Sequence, residues 1–232
     1  MELTKTLVCL ANSRKHSGRC VAGMVGDGSG EWVRPVSARP GHEVSARERQ
    51  YEDGTEPNVL DVVLVPLLRP QPHDFQSENW LLDPGCRWQK AGRVGWSGLL
   101  ALEQRPGRLW INGSSTFHGS NDRVPTEQAV TLPDSLKLIR VTDLTLRVHA
   151  PGAKFGDQRP VLRACFSHAG HAYILRVTDP RYELEYLAGS EGIYELGESF
   201  LTVSLGEPFE GYVYKLAAAI IERAKIKAGS RS

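Results

Sequence analysis

Residues 135–149, SLKLIRVTDLTLRVH, alternate apolar and polar side chains almost without a break. Successive side chains of a β-strand point to opposite faces, so this period of two predicts a strand with one buried face. Further runs rich in valine, leucine and aromatic residues predict strands at 159–167, 173–178 and 200–205. The segment HAGH at 168–171 is predicted to turn the first two of these runs into a hairpin.

Residues 212–223, YVYKLAAAIIER, fit two structures. Their three alanines favour a helix, whereas the opening YVYKL alternates as a strand does. We favour a strand that closes the second half of the chain, which then has about five strands and no sustained amphipathic helix.

The first half of the chain repeats this β pattern. Apolar runs predict strands at 6–11, 19–25 and 31–36, separated by a polar, basic loop at 12–18 and a glycine-rich turn at 26–30. Spaced glycines also occur in loops that cradle phosphate, but such a loop opens a helix, and the residues after this one are strand-like. We therefore predict a hairpin turn at these glycines.

The middle of the chain is less regular. A run rich in valine and leucine predicts a strand at 58–66, after a short helix at 45–51. Residues 69–131 hold four of the five tryptophans among many glycines and prolines, with one more strand predicted at 109–111. A segment of this length without periodicity is typical of aromatic residues packed on a sheet or of a functional loop.

Composition places these strands in a globular protein. The chain has 232 residues, 41% of them hydrophobic and 24% charged, with a net charge of +1, so its overall charge indicates no particular partner. We predict an all-β fold with minor helix: two small β-barrels in tandem, at 1–115 and 116–232, or alternatively a single larger β-sandwich. Widely spread cysteines, no secretory signal and no apolar run of membrane length predict a cytoplasmic protein.

A cluster of polar and basic residues surrounds the predicted basic loop, namely Asn12, Arg14, Lys15 and Arg19. Trp32 and Arg34 share one face of the strand that follows. Cations that track phosphates and an aromatic ring that stacks on a base are the two parts of a surface for single strands. The alternatives are solvated loop cations, a core Trp32, and an Arg34 that pairs with an acid inside the fold.

Polar groups near predicted strand ends are further candidates: Glu78, Asn79, Trp80, Asp122, Arg123, Asp179 and Lys215. The triplet at 78–80 has two possible roles. It hydrogen-bonds the edge of a base while Trp80 stacks on the base ring, or it forms a turn with a packed tryptophan. Asp122 either orients Arg123 toward a phosphate or caps a loop. Asp179 and Lys215 either meet a ligand at strand ends or form one structural ion pair.

Metal and nucleophile chemistry receives little support from the sequence. His168 and His171 have a spacing that a metal accepts, but Ala-Gly between them is typical of a hairpin tip, which is the better interpretation. Cys20, near His16 and the loop cations, lacks a visible base and oxyanion site, so we interpret it as a small core residue. We predict no metal and no cofactor, and we identify no catalytic residue.

Motifs in order along nearly the whole chain resemble the dual-OB domain family. They are LANSRK (10–15), GRCVAG (18–23), WVRPVS (32–37), SENW (77–80), NDRV (121–124), VTDP (177–180), VSLGEPFEG (203–211) and YKLAAAII (214–221). The resemblance implies two OB-like barrels, a bacterial origin often associated with predicted conflict or defence systems, and a role in nucleic-acid binding.

Three functional hypotheses follow from these features. The first is a non-catalytic module that binds single-stranded nucleic acid or a nucleotide through the face from Arg14 to Arg34, by electrostatic capture and stacking. The second is an enzyme that acts on a nucleotide or nucleic acid in a cleft between the barrels. The third is a protein-interaction adaptor that docks through the tryptophan-rich middle; none of the three predicts a membrane partner.

Overall fold

The computed structural model describes residues 3–15, 17–152, 156 and 158–229, with side chains as far as residue 226. Its contacts divide the chain into two compact units, Met1–Leu102 with Pro133–Ser135 and Glu103–Leu132 with Leu136–Ser232. Relative to the boundary predicted between residues 115 and 116, the irregular residues 103–115 belong to the second unit.

Five strands of the first unit close into a ring. In chain order they are β1 (Leu3–Lys15), β2 (Gly18–Val25), β3 (Trp32–Val36), β4 (Asp61–Pro70) and β5 (Asn79–Leu82). The order around the ring is β1-β2-β3-β5-β4, and β4 pairs back with β1. β3 and β5 run parallel, whereas the other neighbours run antiparallel. Another strand, β6 (Gln89–Arg93), pairs with β4 outside the ring.

Short helices connect parts of this unit. α1 (Ala46–Arg49) lies between β3 and β4 in the chain, and α2 (Trp96–Leu102) follows β6. Ser45 and Glu48 form a capping box at the start of α1, in which each side chain accepts a hydrogen bond from the backbone N–H of the other. This local signal explains why the short helix predicted at 45–51 is confirmed.

The inside of the first barrel is apolar. Its core includes the buried side chains of Leu7, Cys9, Val21, Val33, Val63, Val65, Leu67, Leu82 and Trp88. β1 and β2 approach so closely that a Cβ atom at Gly23 would lie 2.3 Å from the carbonyl oxygen of Val8. This position of the ring therefore requires glycine.

The second unit contains a ring with the same strand order. The strands of this unit are β7 (Arg123–Pro125), β8 (Leu136–His149), β9 (Val161–His168), β10 (His171–Val177), β11 (Gly192–Phe209) and β12 (Tyr212–Glu222). The order around the ring is β8-β9-β10-β12-β11, and β11 pairs back with β8. As in the first ring, the third and fifth strands run parallel, here β10 and β12. β7 pairs with β12 outside the ring.

The helices of the second unit are α3 (Thr126–Ala129), α4 (Pro180–Leu187) and α5 (Arg223–Gly229). α4 lies between the third and fourth ring strands, as α1 does in the first unit. Asp179 caps α4, because its carboxylate accepts hydrogen bonds from the backbone N–H groups of Arg181 (3.0 Å) and Ile220 (3.2 Å). Burial raises the pKa of the Asp179 carboxyl group.

Alternation in the sequence explains the strands of the second ring. On β8, Leu144 and Leu146 are buried, while Thr145 and Arg147 between and after them are partly exposed. β9 and β10 are joined by Ala169 and Gly170 with φ values of 48° and 79°, the left-handed pair that two-residue hairpin turns need. The hairpin predicted around residues 168–171 is therefore confirmed.

The main predictions of architecture are confirmed. Both sheets close on themselves as small barrels, so the alternative of a single β-sandwich is wrong. The ambiguous segment at 212–223 is the strand β12. No helix among the described residues is long and apolar enough to span a membrane.

Three local predictions are wrong. Residues 12–15 are not a loop, because they extend β1 and pair with residues 18–21 of β2. Residues 109–111 are not a strand; the Tyr173 hydroxyl accepts the N–H of Leu109 at 3.1 Å in place of a strand neighbour. The second half also contains the helix α4 at Pro180–Leu187, where no helix was predicted.

Candidate nucleic-acid interface

Three arginines lie side by side on adjacent strands of the second barrel. Arg147 on β8 faces Arg163 on β9, and Arg163 faces Arg176 on β10, in direct cross-strand register. Residues next to them along the strands are buried inside the barrel: Leu146, Ala164 and Leu175. The three arginines, called the arginine row below, therefore occupy the outer face of the sheet.

The arginine row is not explained by the stability of the barrel. Like charges directly opposite each other on neighbouring strands are destabilising. Among the acids of the described residues, Asp122 places its Oδ2 3.6 Å from Nη1 of Arg163. The side chain of Arg147 donates to the carbonyl oxygen of His118 at 2.9 Å, and Arg176 is exposed.

Several hydrogen-bond donors of the row have no partner. Within the described residues, the Nε atoms of Arg147 and Arg163 are buried and make no hydrogen bond. Burial lowers the pKa of the Arg163 guanidinium; Asp122 opposes this, and the charges of Arg147 and Arg176 add to it. An anion on this face would supply the missing negative charge.

Aromatic rings flank the row at Arg147. The rings of His118 and His149 lie 5.2 Å apart, and the ring of Phe117 lies 4.7 Å from His118, edge to face. Burial, followed by the charges of Arg147 and Arg163, lowers the pKa of His149. Phe117 is 96% exposed, an unusual position for a large apolar ring unless it meets a partner.

A cleft of about 380 Å³ opens at the other end of the row, within the second unit. Its lining includes Asp122, Arg163, Arg176, Phe209, Tyr214 and Lys215. The carboxylate of Asp122 accepts hydrogen bonds from the backbone N–H (2.7 Å) and the hydroxyl (2.5 Å) of Thr116, which fixes the loop before β7.

Lys215 is buried at this cleft. Its Nζ donates to the carbonyl oxygen of Ile111 at 2.7 Å and to Oδ1 of Asn112 at 2.9 Å. Burial lowers the pKa of Lys215 to about 7, against the smaller opposing effect of Asp122. Tyr173 shares this network, because its hydroxyl accepts a hydrogen bond from Nδ2 of Asn112 at 2.9 Å.

The predicted basic residues of the first unit lie on the β1–β2 hairpin. Arg14 is exposed and faces the half-buried Arg19 across the hairpin, and Lys15 faces Gly18. Asn12 has a structural contact, since its Nδ2 donates to the carbonyl oxygen of Pro57 at 2.8 Å. His16 lies outside the described residues.

The predicted face of Trp32 and Arg34 is not open to solvent. Trp32 is 8% exposed and Arg34 is 3% exposed. Nη2 of Arg34 lies 3.0 Å from Oε1 of Glu78 and donates to Oγ of Ser135 at 2.9 Å. The prediction of a stacking surface here is corrected, because the ion pair and the burial of both side chains place them inside the first unit.

The triplet at 78–80 is a packed strand start. Asn79 is buried, and its Nδ2 donates to Oε1 of Gln76 at 3.1 Å. Trp80 is half-buried, and Nζ of Lys5 lies 4.2 Å from the centre of its ring, a cation–π contact within the fold.

Asp122 and Arg123 point to different partners. The guanidinium carbon of Arg123 lies 3.9 Å above the ring of Tyr212, and its Nε donates to Oγ of Ser114 at 3.2 Å. Asp122 therefore holds a loop and faces Arg163, and the hypothesis that it orients Arg123 is wrong.

The other candidate residues have positions or contacts within the fold. Asp179 caps α4 and Lys215 binds the 111–112 backbone and side chain, so the two do not form the ion pair considered above. His168 and His171 end the two strands of the hairpin, and Cys20 is half-buried on β2. Among the described residues, no group of three or more histidine, cysteine or acidic side chains is arranged to hold a metal ion.

The sequence did not lead us to predict the arginine row, although the pairing of Arg163 with Arg176 was predictable. Arg163 lies five residues before His168 and Arg176 five residues after His171, so the predicted hairpin already brings them opposite each other. The place of Arg147 depends on the register between β8 and β9, which no turn signal determines.

Comparisons with known proteins agree with this architecture. A family model described as dual OB-containing domain matches residues 5–220. Neither the comparison with curated proteins nor the one with solved structures found a match. OB folds in general bind oligonucleotides or oligosaccharides on the face of their second and third strands. In the second ring these strands are β9 and β10, which carry Arg163 and Arg176.

Proposed function

Because the chain belongs to the family of dual OB-containing domains, we propose that it binds single-stranded nucleic acid on the outer face of its second barrel. The arginine row is the observation that carries this proposal. Guanidinium groups on three adjacent strands span about 10 Å, since neighbouring strands lie about 4.8 Å apart. Arginine forks match phosphate oxygens in pairs, so the row suits a backbone that crosses the strands.

Stacking would supplement the charges. The ring of Phe117 is exposed to solvent beside the row and packs edge to face with the ring of His118. Stacking on an aromatic side chain stabilises each bound base by about 1–3 kcal/mol with little regard to sequence. Electrostatic capture and stacking together give a binding protein without covalent chemistry.

The β1–β2 hairpin of the first unit is a second candidate contact. It carries Arg14, Lys15 and Arg19 at the loop between the first and second ring strands. In OB folds this loop flanks the ligand face. We assign it a supporting role, because its cations do not form a row across three strands as in the second barrel.

The wider setting is also a proposal. We infer from the family resemblance that the protein acts in the bacterial cytoplasm beside conflict or defence components. A pull-down from cells, with and without nuclease treatment, separates partners held by nucleic acid from partners held by protein contacts. Loss of all partners after nuclease is the expected result; partners that persist would favour an adaptor role.

Fluorescence anisotropy with single-stranded DNA and RNA of about twelve nucleotides tests the binding proposal, since one OB fold covers about 4–16 nucleotides. The test variant changes the arginine row to glutamine (Arg147→Gln, Arg163→Gln and Arg176→Gln). A control variant changes three cations of the same unit outside the row (Arg105→Gln, Arg181→Gln and Lys225→Gln) and so matches its net charge. Binding by the wild type and the control, with loss in the row variant, is expected. Equal binding by both variants would overturn the assignment to the row.

A further inference from the structure

The cleft at the end of the arginine row differs in shape from the open sheet face. Its volume of about 380 Å³ is within the range of small-ligand sites. Its lining includes three cations (Arg163, Arg176 and Lys215), two acids (Asp122 and Glu207) and two aromatic rings (Phe209 and Tyr214). A site of this kind suits the end of a ligand better than a chain that continues in both directions.

The cations of the cleft retain unused donors. Nη1 of Arg163 is 3.6 Å from Oδ2 of Asp122, which is too long for a hydrogen bond. Lys215 uses two of its three ammonium hydrogens on Ile111 and Asn112, which leaves one. The Asp122 oxygens already accept two hydrogen bonds from Thr116. A group with several anionic oxygens would complete this arrangement.

The aromatic part of the cleft is made by Phe209 and Tyr214. Their ring centres lie 6.5 Å apart and their planes are inclined by 49°. Phe209 is 62% exposed, so its ring gains little from packing within the fold. A planar, apolar group such as a nucleobase would cover it.

We propose that this cleft binds a terminal nucleoside phosphate, with the phosphate on Arg163 and Arg176 and the base against Phe209 and Tyr214. The inference rests on the proposed function, because it uses two arginines of the row. It adds that the protein prefers a strand with a phosphorylated end to one that ends in hydroxyls. A terminal phosphate carries a charge of about −1.5 to −2 at pH 7, whereas each backbone phosphate carries −1.

The probes are single strands of one sequence and about twelve nucleotides that end in a 5′-phosphate, a 3′-phosphate or hydroxyls. Adenosine monophosphate and inorganic phosphate serve as competitors. We expect one phosphorylated end to bind at least about tenfold more tightly than the hydroxyl strand, because added charge-assisted hydrogen bonds are strong. Competition by the mononucleotide at a similar concentration identifies a free nucleotide as the ligand; its failure to compete identifies the strand end.

Variants separate the cleft from the sheet face. Phe209→Ala should weaken binding of the phosphorylated strand and of adenosine monophosphate without changing the melting temperature, because this ring would cover the base and is largely exposed. Leu184→Ala removes an exposed apolar side chain of the same unit on α4 and should leave both affinities unchanged. Lys215→Met tests the buried ammonium group, with a melting curve to show that the variant is folded.

The outcomes distinguish the inference from the function. Equal affinity for all three strands, together with no binding of the mononucleotide, overturns the cleft site and leaves binding on the sheet face intact. Unchanged affinities for the phosphorylated strand and the mononucleotide in folded Phe209→Ala and Lys215→Met also overturn it. If neither strands nor mononucleotide bind, both proposals fail. Binding of the mononucleotide alone supports the cleft and overturns the proposed single-strand function.

Discussion

Arg34 in the first barrel and Arg163 in the second both belong to ring strands, but their surroundings differ. Arg34 is buried, with Glu78 at 3.0 Å and Ser135 at 2.9 Å. Arg163 has another arginine opposite it on each side, and Oδ2 of Asp122 lies 3.6 Å from its Nη1. The first arrangement compensates the charge within the fold, whereas the second leaves a surplus of positive charge. Repulsion between neighbouring arginines lowers the stability of the fold, and a bound anion offsets this loss.

The largest effect should come from breaking the compensated pair. Arg34→Met leaves Glu78 as an uncompensated buried charge, so we expect a loss of about 3–5 kcal/mol in the free energy of unfolding, measured by urea titration. The double variant Arg34→Met with Glu78→Leu should recover most of this loss, because it removes both charges. A single variant as stable as the wild type would show that the pair is not structural.

The arginine row should behave in the opposite way. Changing all three arginines to glutamine should weaken binding to single strands about 100-fold at ~0.1 M salt, if each arginine contacts one phosphate. The same variant should be at least as stable as the wild type, since it removes two like-charge pairs of about 0.2–1 kcal/mol each. Marked destabilisation with unchanged affinity would mean that the row serves the fold, as Arg34 does.

Lys215 provides a pH test of burial in the second barrel. Its folded pKa of about 7 is below the ordinary value of 10.5, so between these values the unfolded chain holds more protons than the folded one. Stability should therefore rise with pH from about 7 to 10.5, by up to about 1.4 kcal/mol per pH unit from this group. The destabilisation by this group is absent above pH 10.5 and reaches its full, constant size below pH 7.

Lys215→Met is the control for this pH dependence. The difference between the slopes of stability against pH for wild type and variant isolates the lysine from Asp122 and the arginines that share the cleft. Parallel curves for the two proteins would contradict a depressed pKa at this position.

The smallest effect is expected at the hairpin of the first unit. Arg14→Glu with Lys15→Glu should weaken binding about fivefold to tenfold, through lost attraction at exposed positions. A change larger than that of the row variant would reverse the comparison and make the first barrel the principal binding surface. Anisotropy at one salt concentration, with both variants side by side, decides the order.

The fold was largely predictable because its signals are local. Alternation at 135–149 and the turn HAGH predict strands and a hairpin without knowledge of the rest of the chain. α4 was not predicted although its start signal is local too, with Asp179 as the N-cap that accepts the backbone N–H of Arg181 and Pro180 in the first turn. Residues 109–111 looked like a strand because they are apolar, but side chains of β10 and β12 satisfy their polar groups.

The candidate site was less predictable for the same reason. Arg14, Lys15 and Arg19 lie within six positions of one another in the sequence, whereas the arginine row joins residues separated by more than a dozen positions. The burial of Trp32 and Arg34 was not predictable, because alternation shows which residues share a face but not which face is exposed to solvent.

Salt dependence of binding tests the central claim most directly. The logarithm of the binding constant for a single strand should fall with the logarithm of salt concentration, by about 0.7 for each phosphate contact. We predict that the slope for the row variant is shallower than that of the wild type by about 2, while the control variant keeps the wild-type slope. Identical slopes for wild type and row variant would contradict the claim that these three arginines contact the nucleic-acid backbone.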